Sequence, residues 1–188
     1  MTRLAERWLK WRGWRFIGTM PDLEKMILVG APHTSNWDFI VYLAAIRHWE
    51  IAPRFIGKHT LFRWPFGYFF RRFGGIPVDR AKSRGMVGQV TDEFEKSDRM
   101  ILVMAPEGTR QAAPYWKSGF LKIAADAGVP IVPVYINFPG KEVVPGNPVY
   151  FQGDEKMLMD ELRTFFQAGE GKEGGGKGPV RLKEERSI

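Results

Sequence analysis

The segment MILVGAPHTSNWD, residues 26–38, carries the clearest structural pattern in the chain. Its first six residues are an apolar run typical of a buried strand, and an amphipathic stretch that predicts a helix begins at Asn36. Pro32 favours extended backbone in the residue before it, and Ser35 is a suitable N-cap residue. The segment therefore predicts a strand, a short polar loop and a helix with Asp38 in its first turn.

The same alternation continues along the chain. Short apolar segments closed by glycine, proline or charged residues predict further strands at 54–57, 76–78, 100–105 and 131–137. Longer amphipathic stretches predict helices at 36–49, 61–73, 82–97, 119–127 and 154–167. This order predicts an α/β fold with a mixed, largely parallel central sheet flanked by helices. The two prolines within VPIVPV, residues 129–134, predict an edge position or a bulge for that strand.

Composition divides the chain into three parts. Residues 1–20 are a basic, tryptophan-rich leader, for which we favour a helix at a membrane interface over a helix packed on the protein's own core. Residues 21–167 carry the strand–helix alternation and predict one folded domain. Residues 168–188 are rich in glycine and charge, which predicts a flexible tail.

Overall composition and charge narrow the functional classes. The 188 residues are 44% hydrophobic and 26% charged, as in ordinary globular proteins, and the absence of cysteine excludes disulfides and a cysteine nucleophile. A net charge of +7 favours an anionic partner: a nucleic acid, a membrane surface or a phosphorylated small molecule. No apolar run approaches the roughly 20 residues of a membrane span, so any membrane contact is expected to be peripheral. The histidines lack paired ligand spacing, so we expect no metal site.

His33 and Asp38 are the candidate catalytic residues. Five positions apart, they can meet only if His33 lies in the loop and Asp38 in the helix. A neutral imidazole can then take a proton from an attacking hydroxyl, while the carboxylate fixes its tautomer. The alternative is structural, because Ser35 and Asp38 together match a helix capping box.

Two further motifs follow predicted strands and carry arginines. GGIPVDR, residues 74–80, ends in Arg80, and APEGTR, residues 105–110, ends in Arg110. The carboxyl ends of parallel strands share one edge of a sheet, where arginine side chains suit phosphate or carboxylate ligands. Gly108 would let backbone N–H groups approach an anion. Alternatively, each arginine is a surface residue paired with its neighbouring acid, Asp79 or Glu107.

Basic and aromatic residues also alternate through GKHTLFRWPFGYFFRRFGG, residues 57–75. Much of this aromatic set can belong to the core. The interleaved cations nevertheless favour a surface that meets lipid, with long basic side chains reaching the headgroups.

Four sequence blocks together resemble the glycerolipid acyltransferase family, whose best-known members are 1-acylglycerol-3-phosphate acyltransferases. The blocks are HTSNWD, GIPVDR, APEGTR and VPIVPV, in the family's order and at compatible spacing. The resemblance covers about residues 26–136 and identifies 21–167 as an acyltransferase-like catalytic domain. It departs from the family at Ala105, where an aromatic residue is usual.

The resemblance implies transfer of a fatty acyl group from acyl-CoA or acyl carrier protein to a hydroxyl of a lysophospholipid or related glycerol phosphate. His33 would be the general base and Asp38 its orienter, with no acyl-enzyme. The implied acceptor-binding residues are Arg80, Glu107, Gly108, Thr109 and Arg110. To these we add Lys117, a cation in WKSGF (116–120) just before a predicted helix. The implied acyl pocket comprises Val129, Pro130 and Ile131.

The resemblance further implies a cytoplasmic, peripherally membrane-associated enzyme that needs no cofactor beyond its acyl donor and does not bind nucleic acid. Two alternatives remain at this point. One is a non-catalytic basic module that binds anionic lipid or nucleic acid, and the other is a hydrolase in which water replaces the acceptor hydroxyl.

Overall fold

The strand predicted at 26–31 is the middle strand of the sheet, β2 (Lys25–Ala31). The computed structural model describes residues 2–64, 67–79, 81, 85–111, 113–169, 171 and 178–185. Within that part of the chain the other strands are β1 (Arg15–Phe16), β3 (Arg54–Lys58), β4 (Gly75–Val78), β5 (Met100–Met104), β6 (Ile131–Asn137) and β7 (Glu142–Pro145).

These seven strands form one sheet in the order β1-β7-β6-β2-β5-β3-β4. Every neighbouring pair is parallel except β6 with β7. The carboxyl ends of β2, β3, β4, β5 and β6 consequently lie at a common edge. The prediction of an α/β fold with a mixed, largely parallel sheet is confirmed.

Six α-helices occur in the described residues, with a short 3₁₀ turn at His59–Phe62. They are α1 (Thr2–Trp11), α2 (Trp37–His48), α3 (Gly67–Arg72), α4 (Gly85–Lys96), α5 (Gly119–Ala127) and α6 (Glu155–Phe166). Among the described residues, no helix combines the length and apolarity needed to cross a bilayer.

Side chains of β2 alternate between the two faces of the sheet. Ile27 and Val29 pack in a large cluster with residues of α4, α5 and α6. Met26 and Leu28 face the opposite side, in a smaller cluster. On that second face, α1 and α2 pack against Val134 of β6. Both faces are therefore covered and the interior of β2 is buried, which explains its continuous apolar sequence.

The strand with two prolines is interior, so the predicted edge position was wrong. β6 lies between β7 and β2, and Pro133 stands opposite Val29 in the parallel register. The carbonyl of Pro133 accepts a hydrogen bond of 2.7 Å from the N–H of Gly146, just beyond β7. The N–H and C=O of one strand residue point towards the same neighbouring strand. The N–H that Pro133 lacks would therefore face β7, and the hydrogen bonds between β6 and β2 are unaffected.

The helix predicted at 61–73 is not continuous. The 3₁₀ turn ends at Phe62 and α3 begins at Gly67. A Cβ atom on Gly67 would lie 1.9 Å from the carbonyl oxygen of Phe62, so the chain returns on itself too tightly for one straight helix.

The leader forms a helix and then a short strand. In α1, Leu9 is buried against Val41 and Ala44 of α2, whereas Trp11 projects outward with 78% of its surface exposed. The helix ends at Trp11. Gly13 follows in a turn with φ of +85°, which suits glycine, and β1 then pairs in parallel with β7. One side of α1 therefore packs on the core, and the same helix also carries an exposed tryptophan.

The described residues 178–185 differ from the flexible tail that their composition predicts. Leu182 is buried and forms an isolated parallel bridge with Trp116. Arg163 of α6 donates hydrogen bonds to the carbonyl of Val180 and to the carboxylate of Glu185. GPVRL, residues 178–182, contains apolar side chains that can be buried. The average composition of residues 168–188 did not reveal them because glycine and charged residues dominate it.

Gly169 and Gly171 lie against the loop that follows β2. A Cβ atom on Gly171 would be 2.4 Å from Cγ2 of Thr34, and one on Gly169 would be 3.2 Å from Cδ of Pro32. At both positions the absence of a side chain lets the backbone pass close to that loop.

Leu182→Ala tests the packing of the C-terminal segment. Removal of a buried leucine side chain should lower the free energy of unfolding by about 2–4 kcal/mol in urea denaturation. Leu4→Ala is the matched control, because Leu4 is 71% exposed on α1, and it should change stability by less than about 0.5 kcal/mol. Equal effects of the two substitutions would contradict the packed arrangement.

Candidate active site

His33 and Asp38 are in contact at the carboxyl end of β2. His33 lies in the loop between β2 and α2, and Asp38 is in the first turn of α2. Nδ1 of His33 is 2.9 Å from Oδ2 of Asp38. Asp38 is buried, whereas 35% of the His33 side chain is exposed. The loop-plus-helix arrangement predicted from the spacing is therefore present.

The Asp38 carboxylate also holds the loop backbone. Its Oδ2 atom accepts hydrogen bonds from the N–H groups of Thr34, at 2.7 Å, and Ser35, at 2.9 Å. The helix begins one residue later than predicted, with Asn36 at the N-cap, and Ser35 Oγ accepts from the N–H of Trp37 at 3.1 Å. The Asp38 carboxylate thus accepts the Ser35 N–H, as a capping box requires, and also contacts His33, so the two interpretations are compatible. The N-cap residue Asn36 itself makes no side-chain capping hydrogen bond.

This arrangement determines which imidazole nitrogen is available. In the neutral ring, the nitrogen facing a buried carboxylate carries the proton, so Nδ1–H of His33 donates to Asp38. The lone pair is then on Nε2, on the part of the ring that does not face Asp38. The pair has the chemistry of a general base and its orienting group.

Glu107 approaches the same loop from the end of β5. Its Oε1 atom accepts a hydrogen bond of 3.1 Å from the backbone N–H of His33. The side chain is only 4% exposed, and Oε2 has no hydrogen-bond partner among the described residues. Burial raises the pKa of Glu107 to about 7, against the lowering effects of its backbone and His33 hydrogen bonds. The carboxyl for which the resemblance implies acceptor binding is therefore buried in this structure.

The last three residues of the APEGTR loop, 108–110, are exposed, and Arg110 gives them a positive charge. Arg110 donates a hydrogen bond to Oδ1 of Asn36, which connects the loop to the N-terminus of α2. Gly108 has φ of +62°, and a Cβ atom there would lie 2.7 Å from Nζ of Lys117. Gly108, Thr109, Arg110 and Lys117 therefore share one exposed surface beside His33, where an anion can be bound.

Two predicted groups do not join this cluster. Arg80 lies outside the described residues. Val129, Pro130 and Ile131 are buried at the start of β6, where Ile131 is in register with Ile27. Ala31 is four residues further along β2 than Ile27, a distance of roughly 13 Å, and His33 lies beyond Ala31. The predicted acyl-pocket residues therefore lie towards the opposite edge of the sheet from His33. They pack in the core of the described structure.

An aromatic groove beside α2 was not predicted. It has a volume of about 370 Å³, and Trp8 of α1 stacks on Trp37 of α2 along it at 5.8 Å between ring centroids. Its remaining lining residues are Leu9, Arg12, Trp14, Val41, Phe138, Pro139 and Lys141. The spacing of the tryptophans in residues 1–20 was the sequence signal for this groove. That spacing does not show that the tryptophans pack against α2.

A second histidine–carboxylate contact lies further along the same sheet edge. Nδ1 of His59, after β3, is 3.6 Å from Oδ1 of Asp79, after β4. Asp79 also accepts a hydrogen bond from the N–H of Ala81. Sequence reasoning treated Asp79 only as a partner for Arg80 and did not pair it with His59.

The fold and the site define an α/β protein with a histidine–aspartate pair and a cationic loop at the carboxyl edge of its sheet. Residues 16–137 match the family model described as Acyltransferase. This match covers more than half of the chain, which therefore belongs to the acyltransferase family.

Similar proteins carry related names. The chain is 30% identical over 121 residues to the 1-acyl-sn-glycerol-3-phosphate acyltransferase of Escherichia coli K12, covering 60% of this chain and 47% of that protein. It is 29% identical over 157 residues to the enzyme of that name from Streptococcus pneumoniae, covering 77% of this chain and 58% of the relative. The chain thus spans about half the length of the curated relatives it matches.

A crystal structure supports the same fold. The 1-acyl-sn-glycerophosphate (LPA) acyltransferase from Thermotoga maritima superimposes with a TM-score of 0.62 at 18% sequence identity. The alignment covers 88% of this chain and 77% of the other.

The buried carboxyl of Glu107 predicts a specific dependence of stability on pH. Below about pH 4.5 the group is neutral in both states; between there and about pH 7 only the unfolded chain ionises. The wild-type free energy of unfolding should therefore fall relative to that of Glu107→Gln as the pH rises through this range. The fall should reach at most about 3 kcal/mol. Urea denaturation of both proteins across the range measures it, and a difference that stays constant with pH would contradict the assignment.

Proposed function

We propose that this chain transfers a fatty acyl group from acyl-CoA or acyl carrier protein to a hydroxyl of a lysophospholipid or related glycerol phosphate. The observation that carries the proposal is the 2.9 Å contact between His33 and Asp38 beside an exposed cationic loop. Family membership supports the acyl chemistry, and the names of the relatives support the class of acceptor.

The proposed reaction is a direct displacement. Nε2 of His33 takes the proton of the acceptor hydroxyl as its oxygen attacks the thioester carbonyl of the donor. Asp38 stabilises the imidazolium that forms. When the tetrahedral intermediate collapses, the C–S bond breaks, the thiolate leaves with the proton from His33, and the new ester is released. No acyl-enzyme forms, and no cofactor beyond the acyl donor is needed.

The anionic part of the acceptor is proposed to bind at the APEGTR loop. Arg110 and Lys117 supply positive charge there, and Gly108 and Thr109 supply close backbone and hydroxyl groups. Arg80 keeps its predicted role in phosphate binding on the strength of the resemblance alone.

The acyl chain is proposed to lie in the aromatic groove rather than against residues 129–131. Trp37, which lines the groove, and Asp38 are both in the first turn of α2, so the groove borders the helix that carries Asp38. Its lining is mainly apolar, with Arg12 and Lys141 as the cationic members. An apolar space bordered by a few cations suits an acyl chain attached to an anionic carrier.

Peripheral contact with a membrane is proposed through two exposed surfaces. Trp11 projects from α1, and a second set of exposed side chains surrounds α3. That set combines bulky apolar and cationic residues: Leu61, Arg63, Trp64, Tyr68, Phe69, Arg71, Arg72 and Phe73. Such a mixture favours the boundary between water and anionic lipid.

His33→Ala tests the proposed base. Loss of general-base catalysis should lower kcat for acyl transfer by about 10²- to 10⁴-fold while the circular dichroism spectrum stays unchanged. His48→Ala is the matched control, because His48 also contacts a carboxylate, Glu6, at 3.2 Å, but at the far end of α2. Its kcat should match the wild type. Transfer that continues unimpaired in His33→Ala would overturn the proposed mechanism.

Trp8→Ala and Trp11→Ala separate acyl binding from membrane contact, since the two residues share one helix. Trp8 lines the groove, so its removal should raise KM roughly tenfold for long-chain donors and little for short-chain donors. Trp11 is exposed, so its removal should weaken sedimentation with phosphatidylglycerol vesicles and leave the chain-length dependence unchanged. An equal rise in KM for long and short donors in Trp8→Ala would argue against the groove as the acyl site.

A further inference from the structure

Glu107 is buried within the described part of the chain. Its side chain is 4% exposed, and the cavity at its carboxyl has a volume of only about 10 Å³. The cavity is lined by Ala31, Pro32, Trp116, Phe166, Gly178 and Val180. A space of that size holds about one water molecule, so neither a glycerol phosphate nor an acyl chain reaches the carboxyl.

The contact that Glu107 does make is with the main chain of the proposed base. Its Oε1 atom accepts the N–H of His33 at 3.1 Å. The next two N–H groups, of Thr34 and Ser35, are taken by Asp38. Three consecutive backbone donors in the loop are therefore bound by two side-chain carboxyls, and neither the sheet nor the helix ladder holds them.

The two carboxyls control different parts of His33. Asp38 binds the imidazole through Nδ1 and sets the orientation of the ring. Glu107 binds the backbone N–H and sets the position of the Cα atom from which the ring projects. A displacement of the base by about 1 Å can lower a rate about 100-fold, so fixing the backbone matters as much as fixing the ring.

We propose that Glu107 is a positioning residue, which holds the main chain of His33 and does not bind the acceptor. This inference rests on the proposed function of His33 as general base. What the role requires is a buried acceptor oxygen at the position of Oε1. A carboxamide provides that oxygen, and a thioether of similar volume does not.

Glu107→Gln and Glu107→Met test the proposal, with kcat and KM measured for acyl-CoA and 1-acylglycerol 3-phosphate. Glu107→Gln should keep kcat within about threefold of wild type, because the amide oxygen still accepts the His33 N–H. Glu107→Met fills the same volume without burying a polar group, so it should fold. Its kcat should fall about 100-fold, with acceptor KM changed by less than about threefold.

Two controls separate positioning from general destabilisation. Val90→Ala removes buried core volume in α4, away from the site, and should lower stability with kcat unchanged. Hydrogen exchange of the His33 amide should be slow in the wild type and at least tenfold faster in Glu107→Met.

Several results would overturn the proposal. They are a tenfold rise in acceptor KM with kcat retained in Glu107→Met, an equal loss of kcat in the Gln and Met variants, a similar loss in Val90→Ala, and rapid exchange of the His33 amide in the wild type. The parallel measurement on His33→Ala keeps the two hypotheses apart. If His33→Ala is active, the proposed base fails; if it is inactive and Glu107→Met is not impaired, only the positioning role fails.

Discussion

One oxygen atom of Asp38 lies within 2.9 Å of three nitrogen atoms: Nδ1 of His33 and the backbone nitrogens of Thr34 and Ser35. A buried carboxylate is stable only when hydrogen bonds replace its lost hydration, and these donors provide that replacement. Because two of the donors are backbone groups, the same bonds that solvate the carboxylate also shape the loop. Helix initiation, loop shape and ring orientation therefore depend on one buried group.

Because β2 lies in the middle of the sheet, different surfaces flank the His33–Asp38 pair on its two sides. β5 and its cationic loop lie on one side of β2, and β6 lies on the other, with the aromatic groove near its end. A charged headgroup and an apolar chain have opposite solvation needs, and a single pocket serves both poorly. In a parallel sheet, the loops after two neighbouring strands provide separate surfaces on either side of the strand between them.

Sequence reasoning succeeded where short-range patterns determine structure. The apolar run of β2, the polar loop and the start of α2 follow from residues that are near one another in the chain. α6 was predicted within one residue at each end, and its N-cap Asp154 accepts a hydrogen bond from the N–H of Met157. Helix geometry showed that His33 can meet Asp38 only from the loop before the helix, and the structure has His33 in that loop.

Sequence reasoning failed where long-range packing decides. The side chain of Glu107 looks like a surface acid in APEGTR and is buried because Trp116, Phe166 and Val180 enclose it. The prolines of β6 suggested an edge, but only the register with Gly146 shows which side of the strand lacks a donor. Residues 129–131 carry a motif that resembles a functional block, yet their position in the sheet places them in the core.

The close passage of Gly171 over Thr34 links two sites that are 137 positions apart in the chain. A glycine-rich stretch is ordinarily regarded as freely variable, but here even one added methyl group would press on the loop that carries the histidine. A side chain at position 171 would require the Thr34 side chain to move or to be replaced by a smaller one. Covariation between these two positions among homologous sequences would be the mark that such a constraint leaves.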